Sequence, residues 1–221
     1  MIDWILESER VLILVLPTVF LIDKDCTLQD ALAWVLTPMG INVKAFFFVQ
    51  DFLDFYNDNY PACLLLDTET PELTGIEIQK IIVDQGIAIP IIFLSAEFEV
   101  STIVSVMKQG AIDYLVKPCN NARLIEGIKS ALALDKLAWQ QRHIQKSVRQ
   151  TYDQLSKREK QVMQEMVSGK SNKAIATMLT ITLKTVEAHR ASVMKKMSVD
   201  SLATLVKHSL VFDLISEEEV V

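Results

Sequence analysis

The stretch that decides the fold is LLLDTETPELTG, residues 64–75, in which a run of leucines ends at an aspartate. With Ala62 and Cys63 in front of it, the apolar run is continuous and does not alternate with polar residues. Such continuity is typical of a strand that is covered on both faces, as in a parallel sheet between two layers of helices. We therefore expect a buried strand whose carboxyl end presents Asp67.

Four further apolar runs predict the other strands of the same sheet. The segments between them carry apolar residues at three- and four-residue spacing, as at Leu28, Leu32 and Val35, which is typical of helices. Strands that alternate with helices predict an α/β doubly wound, five-stranded parallel sheet over residues 18–134. The four runs are TVFLI (18–22), INVKAFFF (41–48), IPIIFL (89–94) and IDYLV (112–116).

Polar side chains follow the predicted strands at the point where each strand ends. The carboxyl ends of parallel strands meet at one edge of an open sheet, and functional groups gather there. This edge is therefore predicted to combine carboxylates, a hydroxyl group and lysines. The residues are Asp23, Lys24 and Asp25 after the first strand, Asp67 after the third, Ser95 after the fourth and Lys117 after the fifth.

The charge of the chain is divided unevenly along its length. The formal net charge is -6, which by itself argues against a nucleic-acid partner. Residues 155–208, however, carry 10 lysines and arginines against 4 aspartates and glutamates, whereas the rest carries 12 against 24. A basic segment in an acidic chain is a hint of nucleic-acid binding by that segment alone.

The N-terminus and the cysteines favour a cytosolic protein. Residues 1–17 are predicted to be an N-terminal extension, and the apolar run that leads from residue 11 into the first strand is too short to span a bilayer. Its acidic flank does not fit a signal peptide. The 3 cysteines show no metal-ligand spacing and fit reduced thiols. We expect no membrane association.

Residues 135–154 predict a linker helix, because no glycine or proline interrupts them. The apolar spacing fits a coiled-coil seam between two copies of the chain, and it fits a helix packed on its own domains equally well. Both interpretations stay open at this point. The seam residues would be Leu134, Leu137, Gln141, Ile144, Val148, Thr151 and Leu155.

Residues 155–212 predict a small, entirely helical domain. Ser156 and Glu159 have the spacing of a capping box at the start of its first helix. SNKAIATML and LKTVEAHRASVMKKM then predict two helices joined by a short break, the second rich in cations, which is the spacing of a helix-turn-helix. A last helix begins near Ser201, and residues 213–221 form an acidic tail.

In this order the segments resemble a known family. The first part resembles the receiver domain of bacterial two-component systems, and the tail resembles the GerE/LuxR-type helix-turn-helix, so the chain looks like a response regulator of the NarL/FixJ subfamily. The resemblance implies a flavodoxin-like receiver, a sensor histidine kinase and double-stranded DNA as partners, and a place in the bacterial cytoplasm. The matching segments are LIDKD, LLLDTETPELTG, IIFLSAE, GAIDYLVKP and residues 155–197.

The resemblance also implies roles for the residues at the sheet edge. Asp67 would accept a phosphoryl group whose oxygens Lys117 and Ser95 would bind, and Tyr114 would turn inward as the switch. Phosphorylation would promote a homodimer through the fourth helix and fifth strand, around residues 100–116. A carboxylate is a competent nucleophile toward phosphorus when a metal neutralises the transferring group. The implied cofactor is Mg²⁺, with Asp23, Asp67 and the backbone carbonyl of Glu69 as ligands and Asp25 as a further candidate.

Lys24 departs from the family pattern, because the family usually has a second metal-binding acid at this position. A lysine about 5 Å from Mg²⁺ costs on the order of 3 kcal/mol per unit charge of the metal at an effective dielectric constant near 20. We expect weak or slow phosphorylation, with Lys24 paired to Asp67 in the resting protein. The alternative is that Lys24 points to solvent and the pocket works. A regulator that binds DNA independently of phosphorylation is therefore a second interpretation.

The second helix of the helix-turn-helix has an inward and an outward face. Val186, Val193 and Met197 predict an inward stripe that Leu183 begins, and His189 is expected to pack close to it. The outward face would enter the major groove of DNA. Its members are Lys184, Glu187, Ala188 and Ala191.

Two groups of DNA contacts follow from this face. Glu187 would accept a hydrogen bond from a cytosine amino group, and Ala188 would contact a thymine methyl group. Contacts to phosphates would set affinity and register without reading the sequence. They are predicted for Lys173, Thr182, Lys184, Thr185, Arg190 and Lys195.

A hydrolase that uses Asp67 as a covalent nucleophile is the remaining alternative. All 3 histidines lie beyond residue 142, so no histidine follows a predicted strand as a general base. The short loops leave little room for a substrate pocket. We therefore expect a transcription regulator and not an enzyme.

Overall fold

The computed structural model describes residues 15–25 and 27–218, with side chains up to residue 211. The chain divides into two compact units, Met1–Gln140 and Gln141–Val221. Most of the predicted N-terminal extension, Cys26 and the side chains of the acidic tail lie outside the described residues.

The first unit contains the predicted parallel sheet. All neighbouring strands pair in parallel, in the order β2-β1-β3-β4-β5, which confirms the doubly wound fold. The strands are β1 (Thr18–Ile22), β2 (Asn42–Phe46), β3 (Ala62–Asp67), β4 (Ile91–Ser95) and β5 (Asp113–Val116). The helices are α1 (Thr27–Leu36), α2 (Val49–Phe55), α3 (Gly75–Asp84), α4 (Val100–Lys108) and α5 (Asn121–Asp153), with a short 3-10 turn at Thr37–Met39.

Side chains of the strands divide between two apolar cores, one on each face of the sheet. In β1, Val19 and Leu21 belong to one core, and Phe20 and Ile22 belong to the other. All four are fully buried. Burial on both faces is the reason why the apolar runs are continuous, and it is also the main stabilising contribution of the sheet.

The register of the strands brings their carboxyl ends together. Asp23 follows β1 directly, Asp67 and Ser95 are the last residues of β3 and β4, and Lys117 follows β5. These four positions therefore lie beside each other at one edge of the sheet. The pairs that establish this are Ile22 with Leu66, Asp67 with Leu94 and Ser95 with Val116.

Helix α5 is longer than the sequence pattern predicted. The linker helix expected at residues 135–154 is the second part of a 33-residue helix that already begins at Asn121. Asp135 Oδ2 accepts a hydrogen bond from the backbone N–H of Ala62 at 2.7 Å, and Trp139 Nε1 donates to the carbonyl of Asp58 at 3.0 Å. This part of α5 is thus attached to the sheet, up to residue 139.

The residues of the predicted seam do not share one environment. Leu134, Leu137 and Ile144 are exposed, whereas Val148 and Leu155 are buried in the core of the second unit. The seam is therefore not one continuous exposed stripe. Pairing of two copies through this helix stays a prediction.

In the described part of the second unit, the end of α5 is followed by the four helices that the sequence predicted: α6 (Lys157–Val167), α7 (Asn172–Leu179), α8 (Leu183–Lys196) and α9 (Leu202–Glu218). Each of α6, α7 and α8 begins at a hydroxyl residue whose side chain accepts a backbone N–H, and Ser156 forms the expected capping box with Glu159. The core includes Val162, Ile175, Val186, Val193 and Leu205.

Glu159 has a second role besides capping α6. The carboxylate is buried, and it accepts hydrogen bonds from Ser192 Oγ at 2.5 Å and Lys196 Nζ at 2.7 Å, both on α8. It also accepts the backbone N–H of Ser156 at 2.7 Å. One buried acid therefore holds α8 against α6.

We expect the substitution Glu159→Gln to make the second unit less stable in a pH-dependent manner. Lys196, then Ser192 and the N–H of Ser156, lower the pKa of Glu159 from 4.5 to about 2. Because the pKa is lower in the folded state, the carboxylate stabilises the fold above pH 4.5, and this contribution is lost as the pH falls toward about 2. The substitution should lower the free energy of unfolding by about 2 kcal/mol at neutral pH.

The measurement is urea unfolding of the full chain over a range of acidic pH. The difference between the two proteins should shrink as Glu159 becomes protonated. Glu187→Gln, at an exposed position of α8, is the matched control and should change the stability by less than about 0.5 kcal/mol. A Glu159→Gln effect of constant size across this range would contradict the assignment.

Candidate functional site: an acidic pocket and a helical surface

Two buried carboxylates at the sheet edge share one lysine. Asp23 and Asp67 are both buried, at the ends of adjacent strands. Lys117 Nζ lies 2.6 Å from Asp23 Oδ2 and 2.9 Å from Asp67 Oδ2. The structure therefore brings together three of the residues that the sequence predicted for this edge.

The remaining oxygens of the two carboxylates also have donors. The backbone N–H of Asp25 donates to Asp23 Oδ1 at 2.9 Å, and that of Glu69 donates to Asp67 Oδ1 at 3.0 Å. In both cases the donor lies two residues after the acid, as in an Asx-turn. All four carboxylate oxygens therefore accept a hydrogen bond within the protein.

Burial and the ion pairs act in opposite directions on these groups. Burial raises the pKa of Asp23 above its ordinary value, against the hydrogen bond from Lys117. Burial also works to lower the pKa of Lys117, but the bonds to Asp23 and Asp67 outweigh it and the pKa is raised. Lys117 is thus a firmly protonated cation between two acids, and these three groups together carry one negative charge when ionised.

Ser95 and Tyr114 are connected through the backbone of Glu97, a role that sequence reasoning missed. The backbone N–H of Glu97 donates to the buried Ser95 Oγ at 3.0 Å, and Tyr114 Oη donates to the Glu97 carbonyl at 3.0 Å. Thr68 Oγ1 donates to Ser95 Oγ at 2.9 Å. A displacement of Ser95 would therefore be transmitted to Tyr114 through Glu97.

Lys24 does not pair with Asp67, so that expectation was wrong, and it is not unpaired in solvent either. Its Nζ lies 2.7 Å from Glu69 Oε2, and the two side chains are 54% and 60% exposed. The physical reason is that the oxygens of Asp67 are already occupied by Lys117 and the N–H of Glu69. The ion pair with Glu69 raises the pKa of Lys24.

The carboxylate of Asp25 takes part in a different contact from the one proposed for it. Asp25 Oδ1 accepts the backbone N–H of Thr27 at 2.9 Å and its hydroxyl at 2.7 Å, at the start of α1. These bonds lower the pKa of Asp25. Metal binding by Asp25 stays a prediction, and these contacts count against it.

The helix-turn-helix consists of α7, a short turn and α8. Thr180 ends α7 in the left-handed region with φ 54°, and Thr182 caps α8 by accepting the N–H of Thr185. The inward positions Val186, Val193 and Met197 are buried as expected. Leu183 was expected to begin this stripe but is 49% exposed, because it lies in the first turn, before α8 enters the core.

The predicted DNA-contacting residues share an accessible surface. The four positions of the outward face of α8 are all exposed, so no described residue of the second unit covers them. Among the predicted phosphate contacts, Lys173, Thr182 and Lys195 are exposed, whereas Thr185 and Arg190 are half-buried, as is His189. Sequence reasoning missed Arg158, whose guanidinium donates to the carbonyl of Leu179 at the end of α7.

Comparison with known families gives matches to both parts of the chain. Residues 19–129 match the family described as "Response regulator receiver domain", and residues 153–209 match "Bacterial regulatory proteins, luxR family". The chain belongs to the LuxR-type response regulators. It is a two-component transcription regulator with a receiver domain and a LuxR-type DNA-binding domain.

Relatives over most of the chain support this assignment of the response regulator. "Transcriptional regulatory protein TdiR" of Thauera aromatica is 35% identical over 189 residues, which cover 85% of this chain and 83% of the relative. "Transcriptional regulatory protein FixJ" of Bradyrhizobium diazoefficiens is 35% identical over 189 residues, covering 86% and 92%. The solved structure of response regulator StyR has a TM-score of 0.76 at 36% identity and covers 87% of this chain and 98% of that chain.

These comparisons favour a regulator over a hydrolase, because both named relatives are transcriptional regulators. Of the helices that the structure describes, none has the length and apolar character needed to pass through a bilayer.

Receiver domains generally use Mg²⁺, but the pocket of this response regulator suits a divalent cation poorly. Every oxygen of Asp23 and Asp67 already accepts an N–H or ammonium donor, and Lys24 takes the position of the missing acid. Among the side chains that the structure describes, no group of three or more His, Cys, Asp or Glu could hold a metal ion. A hard cation needs several free oxygen ligands. The residues present therefore do not fit a resident Mg²⁺.

Gly75 holds the loop after Asp67 in place by allowing a close approach of the backbone. A Cβ atom at this position would lie 2.6 Å from the Asp67 carbonyl oxygen and 2.9 Å from the Phe93 ring. We expect Gly75→Ala to lower the free energy of unfolding by about 1–3 kcal/mol, since backbone atoms have to move to make room. The shift should also displace the amide NMR signals of residues 67–69.

The matched control is Gly127→Ala in α5, where a Cβ atom would make ordinary contacts at 3.6 Å. Because alanine favours helices over glycine by about 1 kcal/mol, this variant should be neutral or more stable. Urea unfolding measures both variants. Equal stability of the Gly75→Ala protein and the wild type would contradict the close-packing argument.

Proposed function

We propose that Asp67 is the phosphoacceptor of this response regulator and that its phosphorylation controls DNA binding by the LuxR-type domain. The observation that carries the proposal is the position of Lys117 Nζ, within hydrogen-bond distance of both Asp67 and Asp23. A lysine held beside a carboxylate at the end of β3 is placed to bind an oxygen of a group added to that carboxylate.

In the transfer step, an Asp67 oxygen attacks the phosphorus atom of a phosphohistidine on the partner kinase. The new O–P bond forms as the P–N bond breaks, and the imidazole nitrogen retains the electron pair. Lys117 then binds one phosphoryl oxygen. The Ser95 hydroxyl, which accepts bonds from Thr68 and Glu97 in this structure, donates its own proton to another.

The contacts of Glu97 support the transmission of this change to a surface. When Ser95 turns toward the phosphoryl group, its bond to the Glu97 N–H is disturbed, and the bond from Tyr114 to the Glu97 carbonyl changes with it. Tyr114 lies in β5, next to α4, whose apolar residues Val100, Val104 and Met107 are exposed. We place the homodimer contact on this surface, because pairing would bury these side chains.

DNA binding is assigned to the exposed face of α8, with Glu187 and Ala188 reading bases and the threonines and basic residues contacting phosphates. The partners are therefore double-stranded DNA, a sensor histidine kinase and a second copy of the chain. The protein acts in the bacterial cytoplasm as a regulator without catalytic turnover.

A second candidate function is DNA binding that does not depend on phosphorylation. It is favoured by the contacts of the pocket, where all four carboxylate oxygens are hydrogen-bonded and a lysine replaces an acid. A receiver domain of this kind would act as a fixed dimerisation unit.

Asp67 should be modified by a small phosphodonor. After incubation of the full chain with acetyl phosphate and Mg²⁺, we expect intact-mass spectrometry to show one added phosphoryl group on the wild type. Asp67→Asn should show none, because an amide lacks the anionic nucleophile. If the wild type remained unmodified yet bound DNA, the second candidate function would replace the first.

Glu187 should determine base preference without determining overall affinity. Its replacement by alanine should remove about 1–3 kcal/mol of discrimination between operator variants, because an acceptor for a base is lost. The dependence of affinity on salt should hardly change. Lys173→Ala is the contrasting variant and should weaken binding to all sequences and reduce the salt slope by about one unit.

Mobility shifts over a salt series, with a set of operator variants, measure both quantities. A uniform loss of affinity for all sequences on Glu187→Ala would show that Glu187 does not read bases.

A further inference from the structure

Lys24 follows the buried Asp23 in the chain and is linked to the phosphoacceptor Asp67 through one residue, Glu69. Its Nζ binds the carboxylate of Glu69, and the backbone N–H of the same Glu69 binds Asp67 Oδ1. A second ammonium group is therefore linked to Asp67 through Glu69.

The bond that holds Lys24 in this position is easily exchanged. Both partners are more than half exposed, and exposed ion pairs contribute little net free energy. The ammonium group sits on a flexible stem of four carbons, so it can change partners without a change in the backbone. Glu69 thus keeps Lys24 near Asp67 but not fixed.

Phosphorylation of Asp67 makes the pocket more negative, and a further cation would compensate the added charge. On Asp67 the phosphoryl group replaces the single negative charge of the carboxylate with about 1.5 to 2 negative charges, and it adds three strong acceptor oxygens. Lys117 is already shared between Asp23 and Asp67. The donor set does not fit a resident divalent cation, and Lys24 is a further cation, linked to Asp67 through Glu69.

We propose that Lys24 leaves Glu69 and binds a phosphoryl oxygen of phosphorylated Asp67, so that this receiver domain accepts a phosphoryl group without a divalent cation. The proposal rests on the assignment of Asp67 as phosphoacceptor. The replacement of an acid by Lys24 is then an exchange of a metal ligand for a built-in cation. In the unphosphorylated protein, Lys24 pairs with Glu69, because the oxygens of Asp67 are occupied by other donors.

The test uses phosphoramidate as the donor, with the full chain, in buffer that contains either Mg²⁺ or EDTA. An Asp67 oxygen attacks phosphorus, the P–N bond breaks, and ammonia leaves with the electron pair. Intact mass over time gives the rate of modification. For the wild type we expect rates with Mg²⁺ and with EDTA that agree within about twofold, since Lys24 supplies the charge in both.

Two substitutions at position 24 separate the role of the lysine from general effects. Lys24→Gln should lower the rate in EDTA roughly tenfold, less than the loss of a fully preorganised donor, because the site is half-exposed. Lys24→Asp should restore the acid that metal binding needs and make modification depend on Mg²⁺. Lys80→Gln, at an exposed position of α3, removes the same charge elsewhere and should behave like the wild type.

Binding of Mn²⁺, measured by electron paramagnetic resonance without any phosphodonor, gives an independent result. Lys24→Asp should bind Mn²⁺ at least about tenfold more tightly than the wild type, because a cation is replaced by a ligand. Thermal unfolding of each variant establishes that the fold is retained.

The possible outcomes distinguish this inference from the proposed function. Modification of the wild type with Mg²⁺ but not with EDTA would overturn the role of Lys24 and leave Asp67 as phosphoacceptor. Equal rates of Lys24→Gln and the wild type in EDTA would overturn it as well. No modification of the wild type under either condition would overturn both proposals.

Discussion

The contact of Lys117 with Asp23 and Asp67 is the interaction on which the receiver domain depends. It joins the ends of β1, β3 and β5, which are far apart in the sequence and meet only because the sheet has the order β2-β1-β3-β4-β5. Two buried carboxylates without a cation would be strongly destabilising. The apolar burial on both faces of the sheet therefore has to bring Lys117 to this place, and fold and pocket depend on each other.

The loops after β1 and β3 stabilise a buried carboxylate by the same backbone geometry. In each, the backbone N–H two residues beyond the acid binds the carboxylate, so Asp25 serves Asp23 and Glu69 serves Asp67. This geometry leaves the side chains of the donor residues free for other partners. Asp25 accepts hydrogen bonds from Thr27 at the start of α1, and Glu69 binds Lys24. Lys24 is consequently paired with the exposed carboxylate of Glu69 and not with a buried carboxylate of the pocket.

Periodicity was sufficient to predict the strands, most helices and the position of Asp67, because burial on one or both faces determines where apolar residues recur. It was insufficient where a result depended on side-chain rotamers or on alternatives of similar free energy. Lys24 has several carboxylates within reach, and only the structure shows that Glu69 takes it. Glu97 acts through its backbone N–H and carbonyl, so the pattern of side chains in the sequence could not predict its role. Helix α5 runs through Gly127, which its packing accommodates.

Each domain contains a buried acid that receives a lysine, but the charge balance differs. Glu159 has Lys196 to itself, with further bonds from Ser192 and the N–H of Ser156, so its single charge is compensated and α8 is held firmly against α6. Asp23 and Asp67 share Lys117, so their pocket keeps a negative charge when both are ionised. A compensated site resists change, whereas an uncompensated one responds when a further charged group arrives. This difference suits the first arrangement to a rigid DNA-binding surface and the second to a switch.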